Sequence, residues 1–140
     1  MNSLAIQLTL HGAIVILVGL LAGIPYGVAI NKKQDENVIR AWRVAHSGLS
    51  MGGTTMIAVS AVLSNLQLDL IFTSALVWSF VVSGYEFCVA LPYGAWVGYR
   101  GLTLEEPKQN QVVYAGNMVG AIGSLIGTLA LIFGCLKTLL

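Results

Sequence analysis

The sequence predicts an all-α fold, a single integral-membrane domain built as a four-transmembrane-helix bundle. Three observations lead there. Of the 140 residues, 56% are hydrophobic and only 9% are charged, whereas an ordinary soluble domain carries about 25% charged residues. The mean hydropathy is +0.81. The apolar residues gather into four runs, each longer than the roughly 20 residues needed to cross about 30 Å of hydrocarbon.

The first run covers about residues 4–30 and the second about residues 41–66. The third covers about residues 68–97 and the fourth about residues 111–139. Pro25 and Pro92 fall near the ends of the first and third runs. A kink or local unwinding there is tolerable if neighbouring groups satisfy the freed backbone. The N-terminus lacks a basic region and a small-residue cleavage site, so its apolar run reads as a retained helix.

The connections differ in chemistry. NKKQDENVIR, Asn31 to Arg40, is polar and charged; SNLQLD, Ser64 to Asp69, reads as a tight turn; YRGLTLEEPKQN, Tyr99 to Asn110, is charged again. Lys32, Lys33, Arg40, Arg43, Arg100 and Lys108 lie on the side of the first and third loops, and only Lys137 lies toward the other. The positive-inside bias therefore places loops one and three in the cytoplasm. Trp42, Trp96, Tyr93 and Tyr99 read as interfacial anchors.

Composition also excludes function classes. A net charge of +1 with no basic cluster offers no surface for nucleic acid. Cys88 and Cys135 lie far apart in apolar runs and form no CxxC pair, which argues against a disulfide framework or a zinc site. Glycines recur at spacing four: Gly19 and Gly23, Gly48 and Gly52, Gly116 and Gly120, Gly123 and Gly127. Such pairs let helix backbones approach closely in lipid, within a bundle or between subunits. Four helices enclose little interior, so an oligomer is the natural way to complete a site.

Ionisable groups inside the membrane point to function, because hydrocarbon holds them at a cost. His46, in WRVAHSGLSMGG, enters about five residues past the cytoplasmic end of the second span, roughly 7 Å deep. Glu86 lies about eleven residues before the third span ends on that side, roughly 16 Å deep. Asn117 is about six residues into the fourth span, with Tyr114 on the same face at spacing three. His11 is different, about 30 Å from the cytoplasmic end of the first span. The two histidines of one subunit therefore cannot clamp one metal, which leaves a one-histidine site with an open position.

His46 has two readings in the sequence. It is either a hydrogen bonder in helix packing or a ligand. Ser50 and Gly53 follow it on the same face at spacings four and seven, so the strip is bare. A flat macrocycle fits such a strip, and so does a neighbouring helix. Glu86 reads as a structural carboxyl, a proton relay or a partner for a cationic intermediate.

AWRVAHSGLSMGGTTMIAVSAVL, Ala41 to Leu63, followed by RGLT, Arg100 to Thr103, resembles the styrene oxide isomerases. The pair His11-Gly12 is similar too. Size and hydropathy also resemble the small membrane hydroxylaminobenzene mutases, which convert arylhydroxylamines to aminophenols. The resemblance implies a homotrimer in a bacterial inner membrane, with haem b near the subunit interfaces and His46 as its axial, metal-binding ligand. Ferric iron then acts as a Lewis acid on the substrate oxygen. On this reading Ser50 and Gly53 border the cofactor, while Glu86, Asn117 and Tyr114 handle the proton or position the ring.

The chain departs from the isomerase pattern where the substrate sits. Gly52 stands where those enzymes have an asparagine, Leu91 where they have a substrate-positioning tyrosine, and Glu86 where they have an aromatic residue. The expected activity is thus a haem-dependent rearrangement of a small apolar aromatic molecule, with an arylhydroxylamine ahead of an aryl epoxide. The alternatives are a non-catalytic haem or electron-transfer subunit, and a small transporter or assembly protein. No internal repeat or pair of broken helices favours transport.

Overall fold

The structure, a computed structural model, describes residues 3–140. Four long helices follow in order: α1 (Ser3–Asn31), α2 (Glu36–Val62), α3 (Leu70–Val97) and α4 (Lys108–Leu139), with a 3-10 turn over Leu63–Asn65 between α2 and α3. No strand occurs among the described residues. All four helices are long and apolar enough to cross a membrane. This is a four-helix membrane protein.

The helices follow the apolar runs within a few residues, with the largest offset at the start of α2. That helix begins at Glu36, five residues before the hydropathy does, because Asp35 caps it by accepting a hydrogen bond from the Asn37 amide at 2.8 Å. A polar first turn is invisible to hydropathy but is favoured by such a cap. Asp69 starts α3 in the same way, accepting from the Phe72 amide at 2.9 Å. The α2–α3 connection is pinned to the far end of α4, where the Thr138 hydroxyl accepts from the Gln67 amide at 2.9 Å. Pro25 and Pro92 lie inside α1 and α3, and both helices continue through them.

α1 pairs chiefly with α2 and α3 with α4, while α3 also packs on α1 and α2. Leu8, Val15, Leu49, Leu76 and Val77 form the fully buried centre. Leu21, Ile24, Ile71 and Leu125 face outward, as lipid-facing residues do. Glycine sets the spacing within each pair. A Cβ on Gly53 would stand 2.5 Å from the Gly12 carbonyl oxygen, and one on Gly120 would stand 2.8 Å from the Phe87 ring. Gly52 is the exception among the paired glycines, with nothing within 4 Å of such a Cβ. Most of the glycine pairs thus serve packing inside the bundle, whereas Gly48 and Gly52 border open space.

Candidate functional site

His46 sits half-buried on the face of α2 that meets α1. Its Nδ1 lies 2.8 Å from the Gly19 carbonyl oxygen. A carbonyl oxygen only accepts, so Nδ1 carries the proton. In the neutral ring Nε2 then holds a lone pair, and no group among the described residues bonds to it. Gly23 gives the ring its place: a Cβ there would stand 3.0 Å from Nδ1 and 3.2 Å from Cε1. Tyr26 stacks against the ring at 6.1 Å and 26°. Arg43 in turn donates from Nε to the Tyr26 hydroxyl at 3.1 Å, with its guanidinium 5.9 Å from the Tyr26 ring centre.

The bare strip beside His46 belongs to a helix. Gly53 is buried against Gly12 and Ile16 of α1. Ser50 packs on Gly19, and its hydroxyl donates to the His46 carbonyl at 2.8 Å. Where Ser50 and Gly53 were expected to border a macrocycle, the structure sets α1 against both. α1 covers that strip because glycine on both helices allows backbone contact.

His11 lies elsewhere. It bonds through Nδ1 to the Tyr85 hydroxyl at 2.8 Å and lies beside Trp78. It stands twelve residues along α1 from Gly23, which marks the level of His46; that is about 18 Å at helical rise. Within one subunit the two histidines are well apart. Among the described residues no three His, Cys, Asp or Glu side chains converge into a metal cluster.

Tyr114 and Asn117 do come together, at the wall of a 420 Å³ cavity between the start of α2, the end of α3 and the start of α4. Arg40, Arg100 and Leu91 also line it. His46 and Glu86 do not. His46 faces the opposite side of α2, because Val44 and Ala41 rather than its own face front the cavity. Glu86 is half-buried on α3, its Oε2 3.6 Å from where a Cβ on Gly116 would stand. Among the described residues it has no hydrogen-bond or ion-pair partner.

Asn117 also anchors a loop. Its Nδ2 donates to the carbonyls of Arg100 at 3.0 Å and Gly101 at 3.4 Å, while its Oδ1 is buried without a partner. Asn110, two turns earlier on α4, does more. Its Oδ1 accepts from the Gly101 amide at 3.1 Å, and its Nδ2 donates to Thr103 at 2.9 Å and Glu105 at 3.0 Å. Gly101 needs its left-handed φ of 57° for this turn, and a Cβ there would press on the Tyr114 backbone. The RGLT segment is therefore held on α4 by two asparagines.

Sequence reasoning missed Tyr26 and Asn110. Each had a signal in spacing. Gly19, Gly23 and Tyr26 stand at i, i+4 and i+7 on α1, and Asn110, Tyr114 and Asn117 repeat that pattern on α4.

A second cavity, of 250 Å³, lies deeper between the helices and is lined by Gly48 and Gly52, with Ser83, Ser124 and Phe87 opposite. Phe87 lines both cavities and so divides them.

The styrene oxide isomerase family profile matches residues 4–136, nearly the whole chain. No individual curated protein matches the sequence significantly.

Proposed function

From the premise that this chain belongs to the styrene oxide isomerase family and is an isomerase, we propose that it is a haem b-dependent membrane mutase converting an arylhydroxylamine to an aminophenol. The observation that carries the cofactor is the His46–Gly19 hydrogen bond, which commits Nδ1 and leaves Nε2 free. Metal-bound histidines are characteristically held through the other ring nitrogen by a carbonyl or carboxylate. A lone histidine suits a metal that arrives with its own macrocycle, since one protein nitrogen cannot complete a coordination sphere. Bound haem b supplies a ferric Lewis-acid centre for the substrate's oxygen.

The chain's residues have the remaining tasks. His46 would hold the haem through Nε2, with Gly23 and Tyr26 bounding its ring. Tyr114 orients the aromatic ring from the cytoplasmic cavity, and Asn117 holds the loop that closes it. Glu86 Oε2 takes or returns the proton that moves as the oxygen is relocated. His46 and the cavities lie on opposite sides of α2. A homotrimer in which one subunit's His46 shares a site with its neighbour's cleft accounts for both. Loops one and three face the cytoplasm, and the apolar substrate enters from the bilayer.

The arylhydroxylamine is favoured because the substrate region differs from the isomerase pattern. Gly52 and Leu91 replace an asparagine and a tyrosine, and both line cavities here. Isomerisation of an aryl epoxide to an aldehyde is the second reading, favoured by the family match itself.

A visible spectrum of the detergent-purified protein tests the cofactor. A Soret band in wild type that is lost in His46→Ala, with the oligomer retained, is the expected result. A colourless wild type after haem-supplemented expression sinks the proposal. Phenylhydroxylamine and styrene oxide, offered in parallel, separate the two reactions.

A further inference from the structure

The deeper cavity has an unusual hydrogen-bonding character. Its polar side chains are four hydroxyls, and each already donates its one proton. Thr55 donates to the Met51 carbonyl at 3.0 Å and Ser83 to the Gly120 carbonyl at 2.6 Å. Ser124 donates to the Ala121 carbonyl at 2.9 Å and Thr128 to the Ser124 carbonyl at 2.7 Å. A hydroxyl has one proton and two lone pairs, so what remains on these walls is acceptor capacity. The other side chains are apolar, and all lining residues lie well inside helices, where backbone N–H groups are already bonded.

We infer that this cavity is a binding site for small, largely apolar molecules that carry an O–H or N–H donor, the class of phenols, arylamines and arylhydroxylamines. A donor entering the cavity gains a full hydrogen bond from a hydroxyl lone pair. A ligand that only accepts, such as an ether or epoxide, must turn a hydroxyl away from its present carbonyl, exchanging one bond for another. Its oxygen loses water with little return. The volume of 250 Å³ suits a single aromatic ring and its substituent, and Phe80 and Phe87 line it.

Gly52 makes the test clean. It lines the cavity, and a Cβ on it meets nothing within 4 Å. The inference stands apart from the isomerase reading, in which Tyr114 orients the ring from the cytoplasmic cavity.

The test compares phenol with anisole, which keep the same ring and oxygen but differ in the donor. Binding to full-length protein in detergent is measured by equilibrium dialysis against protein-free micelles. Wild type is expected to prefer phenol by about tenfold, one hydrogen bond's worth. Gly52→Asn adds an amide donor and is expected to bring the ratio toward parity, whereas Gly52→Ala, which adds bulk without a donor, keeps it. Equal binding of the two ligands by wild type overturns the inference. So does a ratio that is the same in Gly52→Asn and Gly52→Ala. The haem band reports separately: a colourless protein that still prefers phenol defeats the mutase reading alone, and a haem-loaded protein with no preference defeats this one alone.

Discussion

His46 donates from Nδ1 to the carbonyl oxygen of Gly19, 2.8 Å away on the neighbouring helix. That single bond sets the tautomer, faces the ring toward α1 and leaves Nε2 as the free nitrogen. The bond is possible because Gly19 has no side chain: a Cβ there would stand 2.9 Å from Ser50 Oγ and 2.8 Å from the Ser50 amide nitrogen.

Gly23→Ala tests how tightly the ring is held. Its Cβ would stand 3.0 Å from His46 Nδ1, so the imidazole must shift by a few tenths of an ångström. On the proposed function, shifting His46 without replacing it should weaken haem retention by about tenfold. Haem transfer to apomyoglobin measures this, and circular dichroism checks that the helices persist. Unaltered retention would mean that Gly23 does not position His46.

Gly53→Ala and Gly52→Ala should behave oppositely although they are neighbours. The Gly53 Cβ would stand 2.5 Å from the Gly12 carbonyl oxygen and 2.6 Å from Ile16 Cγ1. Forcing α1 and α2 apart is expected to cost about 1–3 kcal/mol. At Gly52 there is no neighbour, so alanine should be neutral or stabilise by up to about 1 kcal/mol through helix propensity. Thermal aggregation in detergent reads the difference. Equal behaviour of the two variants would show that the α1–α2 contact does not depend on a bare backbone.

Asn110→Ala should release the third loop. The side chain supplies three hydrogen bonds to Gly101, Thr103 and Glu105 and is only 8% exposed. Its loss leaves buried backbone groups unpaired, a cost of about 1–3 kcal/mol. Amide exchange over residues 98–107 is expected to accelerate while the four helices keep their protection. Asn117→Ala frees only the Arg100 and Gly101 carbonyls and should loosen the loop less.

Glu86→Gln separates proton transfer from structure. No described residue pairs with this carboxyl, so the amide has no fold-stabilising partner to lose. On the proposed mechanism, turnover falls by about 100-fold, the range of a positioned general acid or base, while the Soret band is unchanged. Full turnover at full haem content would remove Glu86 from the chemistry.

Much of the fold was legible in the sequence, and less of the site. The apolar runs located all four helices, and the rise per residue separated His11 from His46. The start of α2 at Glu36 was hidden because capping by Asp35 is a polar signal in a reading led by hydropathy. Asn117 was found by its depth, but its work for the RGLT loop was not, since that bond joins residues seventeen apart across a turn.

By itself the sequence determined the membrane class, the number of helices and the height of each polar group. These are local quantities, set by run length against a hydrocarbon layer of nearly constant thickness. Only the tertiary structure decided which neighbour covers each face. α1 and α3 are apolar all round, so no polar side announces their orientation. Spacing could place His46, Ser50 and Gly53 on one stripe of α2, yet it could not tell a cofactor's space from a helix's. The structure sets α1 against Ser50 and Gly53, with the Gly12 backbone touching Gly53.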